Sequence, residues 1–163
     1  GSAGSSAEGR MRMSSSLRRG PPPAEIVAAA LVEIDIGDGR MRVRDRCLVR
    51  LALVHGLSFE AITALRLADV DLARQVLMPA GQEFIGLCPD TVQGVRDWLA
   101  VRESLVPLID SPRAEALFVC RTGLPLKFAQ VRNLVRKAEC RAWRVQAARM
   151  QGQRVRRRTG YEE

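Results

Sequence analysis

Apolar positions along the chain come in blocks, and the spacing within each block predicts an element. Residues 24–34, AEIVAAALVEI, carry a helix-like pattern, and Gly37 to Gly39 mark a turn after it. Arg44 to His55 reads as the next helix. Its run of Cys47, Leu48, Val49, Leu51, Ala52, Leu53 and Val54 is apolar nearly all round, which places it at the centre of the core. Gly56 ends it. Ser58 is then an N-cap whose hydroxyl can accept from the amide of Glu60 or Ala61, and Glu60 suits the positive end of the helix dipole. Phe59, Ile62 and Leu65 follow at inward-facing spacing. Two short extended runs, Gln75–Met78 and Glu83–Leu87, flank a turn at Ala80-Gly81 and predict a small antiparallel β-hairpin. Asp90 caps another helix, striped by Val92, Val95, Trp98 and Leu99. After a loop, the apolar segment ALFVC and a turn at RTGLP, a last helix runs from Phe128 to about Arg144 on the stripe Val131, Leu134, Val135, Ala138 and Ala142. The order is that of a mainly α (α+β) domain with one small hairpin.

Three segments follow from this pattern. Residues 1–23 begin with GSAGSSAEGR, which looks like an expression-vector remnant, and continue as a flexible Ser- and Pro-rich stretch. Residues 24–145 form the folded domain. Residues 146–163 carry too little apolar surface to fold alone and are expected to be a basic, disordered tail.

Charge sharpens that division. Between Gln130 and Arg158 there are ten basic residues and one acid, Glu139. That segment carries +9 while the whole chain carries +8, so the remainder is close to neutral. Such an arm suits a polyanion, most simply nucleic acid. Composition excludes other classes. The four cysteines, Cys47, Cys88, Cys120 and Cys140, form no C-x-x-C pair, and the single histidine, His55, stands apart from them in sequence, which argues against zinc. No cofactor is implied. Cys47 reads as a small buried hydrophobe. No apolar run approaches the roughly 18 residues needed to span a bilayer, so no membrane partner is expected. The absence of a signal peptide fits the cytoplasm, for a bacterial protein the nucleoid.

The same words, in the same order, resemble the catalytic domain of the tyrosine recombinases, the phage integrase family. Arg44-Asp45, Gly56-Leu57, Leu65 and Asp69-Val70-Asp71 match the family's first helix pair. IGLCPDTVQGVRDWLAVR is similar to the segment after the family's hairpin, and ALFVCRTGLPLKFAQVRNLVRKA to its Leu-Phe…Gly-x-Pro-Leu stretch and the helix that follows. The resemblance covers about residues 24–142 and implies a helical integrase-like catalytic domain. Met13 to Pro23 is too short to hold the DNA-clamping domain that precedes the catalytic domain in the family.

Departures from the pattern carry the functional reading. Where the family's first catalytic arginine stands, this chain has Ser58; the hairpin turn PAGQEF lacks the family's lysine; and no His-x-x-Arg box follows Ala142. His55 falls where the family has threonine and does not replace that box. The single tyrosine, Tyr161, lies near the end of the chain, and without the rest of the pocket it is not expected to attack a phosphate. Arg66 is expected to pair with Asp69 rather than to stand in for the missing arginine. The chain is therefore expected to have no recombinase activity. In the family, the helix after Gly-x-Pro-Leu approaches a DNA groove. The resemblance thus implies DNA contact here by Lys127, Gln130, Arg132, Asn133, Arg136, Lys137, Arg141 and Arg144, joined by Arg154, Arg156, Arg157 and Arg158 of the basic arm. Ahead of a third function, an active enzyme that uses residues outside the family's pattern, the sequence leaves two open. One is a DNA-binding accessory or regulator in a mobile element. The other is an interaction module that pairs with itself or with an intact recombinase.

Overall fold

The computed structural model describes residues 22–34, 39–106 and 115–159. Helix α1 (Ala24–Ile34) is followed by α2 (Gly39–Val49), which runs without a break into a π-helical turn at Arg50–Val54. Then come α3 (Phe59–Ala64), a 3-10 turn at Leu67–Asp69, strands β1 (Val70–Asp71), β2 (Val76–Leu77) and β3 (Ile85–Gly86), helix α4 (Pro89–Leu105) and helix α5 (Phe128–Thr159).

Helix α2 is central through its C-terminal end, where the apolar run from Cys47 continues into the π turn, while Arg40 and Arg46 stay exposed. Met41, Cys47, Leu48 and Val49, with Leu51 and Leu53 of the π turn, are all buried. It packs against α1, α4 and α5. The start of α5 lies across α1 and α3 on the expected stripe, with Val131, Val135, Ala138 and Ala142 buried.

The predicted hairpin is part of a three-stranded antiparallel sheet in the order β1-β2-β3. Asp69-Val70-Asp71 supplies the additional strand, with Val70 opposite Leu77 and Asp71 opposite Val76. Each strand is only two residues long, too short for alternation to reveal β1 in the sequence.

The segment ALFVC has no long strand partner. Its backbone is held by bonds that converge from around it. Trp98 Nε1 donates to the Leu117 carbonyl at 2.8 Å, Arg102 Nε to Ala116 O at 2.9 Å and Arg44 Nη1 to Val119 O at 3.2 Å. The Leu117 amide in turn donates to Leu65 O at 3.0 Å. Leu117, Phe118 and Val119 are buried, so carbonyls left without donors there would be costly, and these long side chains supply them.

The last helix differs most from expectation. It does not end near Arg144 but continues as one 32-residue helix to Thr159. The segment expected to be a disordered tail is helical through that residue. From Gln146 to Thr159 there is no proline and the one glycine is Gly152, and Gln, Ala, Met and Arg are strong helix formers, so propensity carries the helix past the point where burial ends. Asp90 lies in the first turn of α4, whose N-cap is Cys88 with Pro89 at the first helical position. Arg66 is also corrected. Its backbone amide donates to Asp69 Oδ2 at 2.8 Å, while its guanidinium pairs with Glu115 at 3.3 Å.

Candidate nucleic-acid interface

Ser58 sits in extended backbone at the start of α3, and its Oγ accepts from the Ala61 amide at 3.1 Å. The cap is thus the one read from the sequence. Around it is an open groove of roughly 340 Å³ lined by Ala52, Leu53, Leu57, Phe59, Glu60 and Phe128. The groove is apolar apart from Ser58 and Glu60. Among the described residues, no arginine lines it, which suits a cationic phosphate pocket poorly.

Two arginines of α5 come close by but are held by rings. Phe59 and Phe128 meet edge to face with centroids 6.4 Å apart. Arg132 lies over Phe128 and Arg136 over Phe59, each 5.7 Å from the ring centroid. One helical turn separates the two arginines, so α5 lays them side by side on the flank facing α3. Each contact is worth about 0.5–1 kcal/mol at an exposed site, enough to bias the guanidinium but not to remove it from a phosphate.

The other expected contact residues separate into three groups. Lys127 and Gln130 form the cap of α5, with the Lys127 amide donating to Gln130 Oε1 at 2.8 Å. Gln130 therefore has one lone pair of its oxygen engaged, and its amide hydrogens remain to meet a base. Asn133, Lys137 and Arg144 are exposed. Arg132 Nε donates to Asn133 Oδ1 at 3.3 Å, and Arg141 pairs with Glu33 of α1 at 3.8 Å. Arg154, Arg156, Arg157 and Arg158 all project from the exposed second half of α5, beside Arg149, which is not among the expected contacts. All twelve expected residues thus lie on one helix or its cap. They form a continuous basic rod rather than a domain with a loose arm.

Tyr161 lies outside the described residues. Among the described residues, no group of three or more His, Cys, Asp or Glu gathers as metal ligands would, and no helix is long and apolar enough to cross a membrane.

Sequence reasoning missed one cluster. His55, expected to stand apart, has its Nε2 2.8 Å from Thr91 Oγ1, and Cys88 Sγ is 3.1 Å from the same hydroxyl and 3.7 Å from Nε2. The π turn brings His55 there, its amide bonding back to Arg50 O at 3.1 Å. His55 and Cys88 are 33 positions apart, so no spacing rule in the sequence could have joined them.

No family model matches the chain, and no curated protein matches it. Among solved structures it is similar to XerA recombinase, with a TM-score of 0.58 at 18% identity over 74% of this chain and 42% of that one. The fold is recombinase-like. The chain spans less than half the length of that recombinase, and at this identity the likeness is one of architecture.

Proposed function

We propose that this chain is a DNA-binding protein on a recombinase-like scaffold, without strand-cleaving activity, serving as an accessory or regulator in a mobile element. One observation carries the reading: α5 and its cap present Lys127 and the ten basic residues from Arg132 to Arg158 along a single helix with one acid among them. Duplex DNA offers a regular line of phosphates that such a rod can follow, and Asn133 lies exposed between cations where it can meet a base edge. The apolar lining of the Ser58 groove supports the absence of cleavage, since none of its lining residues would neutralise a phosphoryl transition state.

Fluorescence anisotropy with a labelled duplex across a salt series tests the binding. Engagement of about six phosphates gives a log–log slope near −5, and a flat dependence removes the DNA reading. A nicked suicide substrate tests the chemistry. No covalent adduct is expected, and an adduct lost in Tyr161→Phe would overturn the claim of inactivity. Ser58→Arg alone should not create cleavage, because catalytic groups of this kind act as a unit.

A second reading, an interaction module pairing with itself or with an intact recombinase, rests on Trp143, Met150 and Val155. They stay 46%, 51% and 57% exposed, and Trp143 and Met150, seven residues apart, share one face of α5 that a partner could cover. Native mass spectrometry of the chain with the duplex, alone and mixed with an intact recombinase separates the two, since the second reading requires a homo-oligomer or a complex with the recombinase in the absence of DNA.

A further inference from the structure

The Cys88–Thr91–His55 cluster lies where the π turn, β3 and the start of α4 meet. Cys88 is the N-cap residue of α4, Thr91 stands three residues on, and His55 closes the π turn. The Thr91 side chain is fully buried, Cys88 is half-buried, and the Thr91 hydroxyl lies between sulfur and imidazole at 3.1 and 2.8 Å.

A hydroxyl with one hydrogen and two lone pairs can serve these neighbours in two ways. With a neutral thiol, Sγ–H donates to Thr91 Oγ1, and the Thr91 O–H donates to Nε2 of a neutral imidazole. With a thiolate, Nε2–H of the imidazolium donates to Thr91 Oγ1, and the Thr91 O–H donates to sulfur. Both arrangements leave every polar atom partnered, and they differ only by two short proton shifts.

We propose that Cys88 is a reactive thiol whose proton leaves through Thr91 to His55, making it a modification site for thiol–disulfide exchange with low-molecular-weight disulfides. Sγ–H gives its proton to Thr91 Oγ1 as Thr91 gives its own to His55 Nε2. The thiolate attacks one sulfur of the small disulfide; the old S–S bond breaks as the new Sγ–S bond forms. The departing sulfur leaves as a thiolate and recovers a proton from the imidazolium through solvent. Cys88 is oxidised to a mixed disulfide, and the small disulfide is the oxidant, one half released as thiol.

The surrounding charges favour the thiolate end of this relay and leave the imidazole end uncharged at rest. Burial acts to raise the Cys88 thiol, but the Thr91 hydroxyl, the Thr91 and Asp90 backbone and the nearby Arg50 together bring it below the ordinary thiol range. Burial, with Arg50 adding to it, holds His55 below the usual histidine range against a hydrogen bond to the Gly86 backbone. The resting ring thus favours its neutral form, with Nε2 facing the Thr91 hydroxyl as acceptor, and it holds the proton only in passing. Asp90 on α4, its side chain 3.9 Å from Arg50, is the acid beside the cluster. The other cysteines are internal controls. Cys47 is buried, its thiol pushed up to about 12; Cys140 is exposed; Cys120 has a threonine, Thr122, at 2.9 Å but no histidine, since the chain has only one.

The test is a timed pulse of the whole chain with oxidised glutathione, quenched with acid and read by peptide mass spectrometry. At pH 7 Cys88 should gain glutathione at least about tenfold faster than Cys140 and faster than Cys120, with a pH profile that inflects below the ordinary thiol pKa of about 8.5. Thr91→Val should bring Cys88 down to the rate of Cys140 at unchanged helix content, and Thr91→Ser should restore it. A Cys88 rate no higher than that of Cys140 in the wild-type chain, or a fast rate that survives Thr91→Val, overturns the proposal. Should Thr91→Val lose helix content, the wild-type pH profile and the Thr91→Ser rate decide. None of these readouts depends on DNA.

Discussion

The two halves of α5 form one helix and obey different rules. From Phe128 to Ala142 the helix is tied to the body by Val131, Val135, Ala138 and Ala142. From Ala147 to Arg158 every residue is exposed. The first half is fixed by burial: removing its stripe would open the core between α1 and α3. The second half is fixed by continuity. A helix already nucleated by packing adds residues at little cost, whereas the same segment alone would have to form its own costly first turn. A charge-rich segment can therefore be ordered without a core of its own, because the preceding turns hold it in register. Five arginines sit on that half, Arg149, Arg154, Arg156, Arg157 and Arg158, on a surface the body leaves open to a polyanion.

The sharpest way to break the comparison is to damage the packed half's surroundings. Trp98 is fully buried, stacks on Phe118 at 6.2 Å and holds the Leu117 carbonyl. Trp98→Ala should cost about 3–5 kcal/mol, seen as a lowered midpoint in urea. Gly123 is next. Its φ is +84°, and a Cβ there would stand 2.7 Å from the Leu105 carbonyl oxygen, a backbone atom that cannot swing aside. Gly123→Ala should cost about 1–3 kcal/mol by the same measurement. Ser58→Ala removes the cap of α3 and should cost about 1 kcal/mol. If Ser58 instead had a chemical role, that substitution would change more than stability.

The packed half of the molecule was legible in the sequence because its signals are redundant. The stripe from Val131 to Ala142, the run around Leu48 and the cap at Ser58 each follow from local spacing, and the words around Gly56-Leu57 and Gly-x-Pro-Leu pointed to the recombinase-like fold. The second half of α5 was not legible, because hydrophobic periodicity reports burial and this half of the helix is exposed throughout. Propensity was the available signal, and arginine-rich composition hid it behind the expectation of disorder. Strand β1 was lost for a different reason: two residues show no alternation. The cluster at Cys88 lay beyond local reading altogether, because His55 reaches it only through the π turn and the fold of β3 against α4. The candidate DNA-facing residues on α5 were placed together by the sequence. What it could not give was their division into ring-bound Arg132 and Arg136, helix-capping Gln130, and Arg141 paired across to Glu33.

The smallest expected effect on stability separates the halves most cleanly. Ending the chain after Gln146 removes residues 147–163, of which 147–158 are exposed, and every side chain of the buried core stays in place. The urea midpoint should move by no more than about 0.5 kcal/mol, the ordinary range for surface changes. The same truncation discards five of the ten cations counted between Gln130 and Arg158. DNA affinity should therefore fall, and the salt slope should shrink by about one for each phosphate no longer engaged. A truncated chain that keeps its affinity would mean that Arg132, Arg136, Lys137 and Arg144 suffice and that the projecting half serves contacts between proteins, where Trp143 and Met150 are the residues to change next. A truncated chain that unfolds more easily would mean the two halves form one cooperative unit, and order beyond Gln146 would then need a source other than continuity with the packed turns.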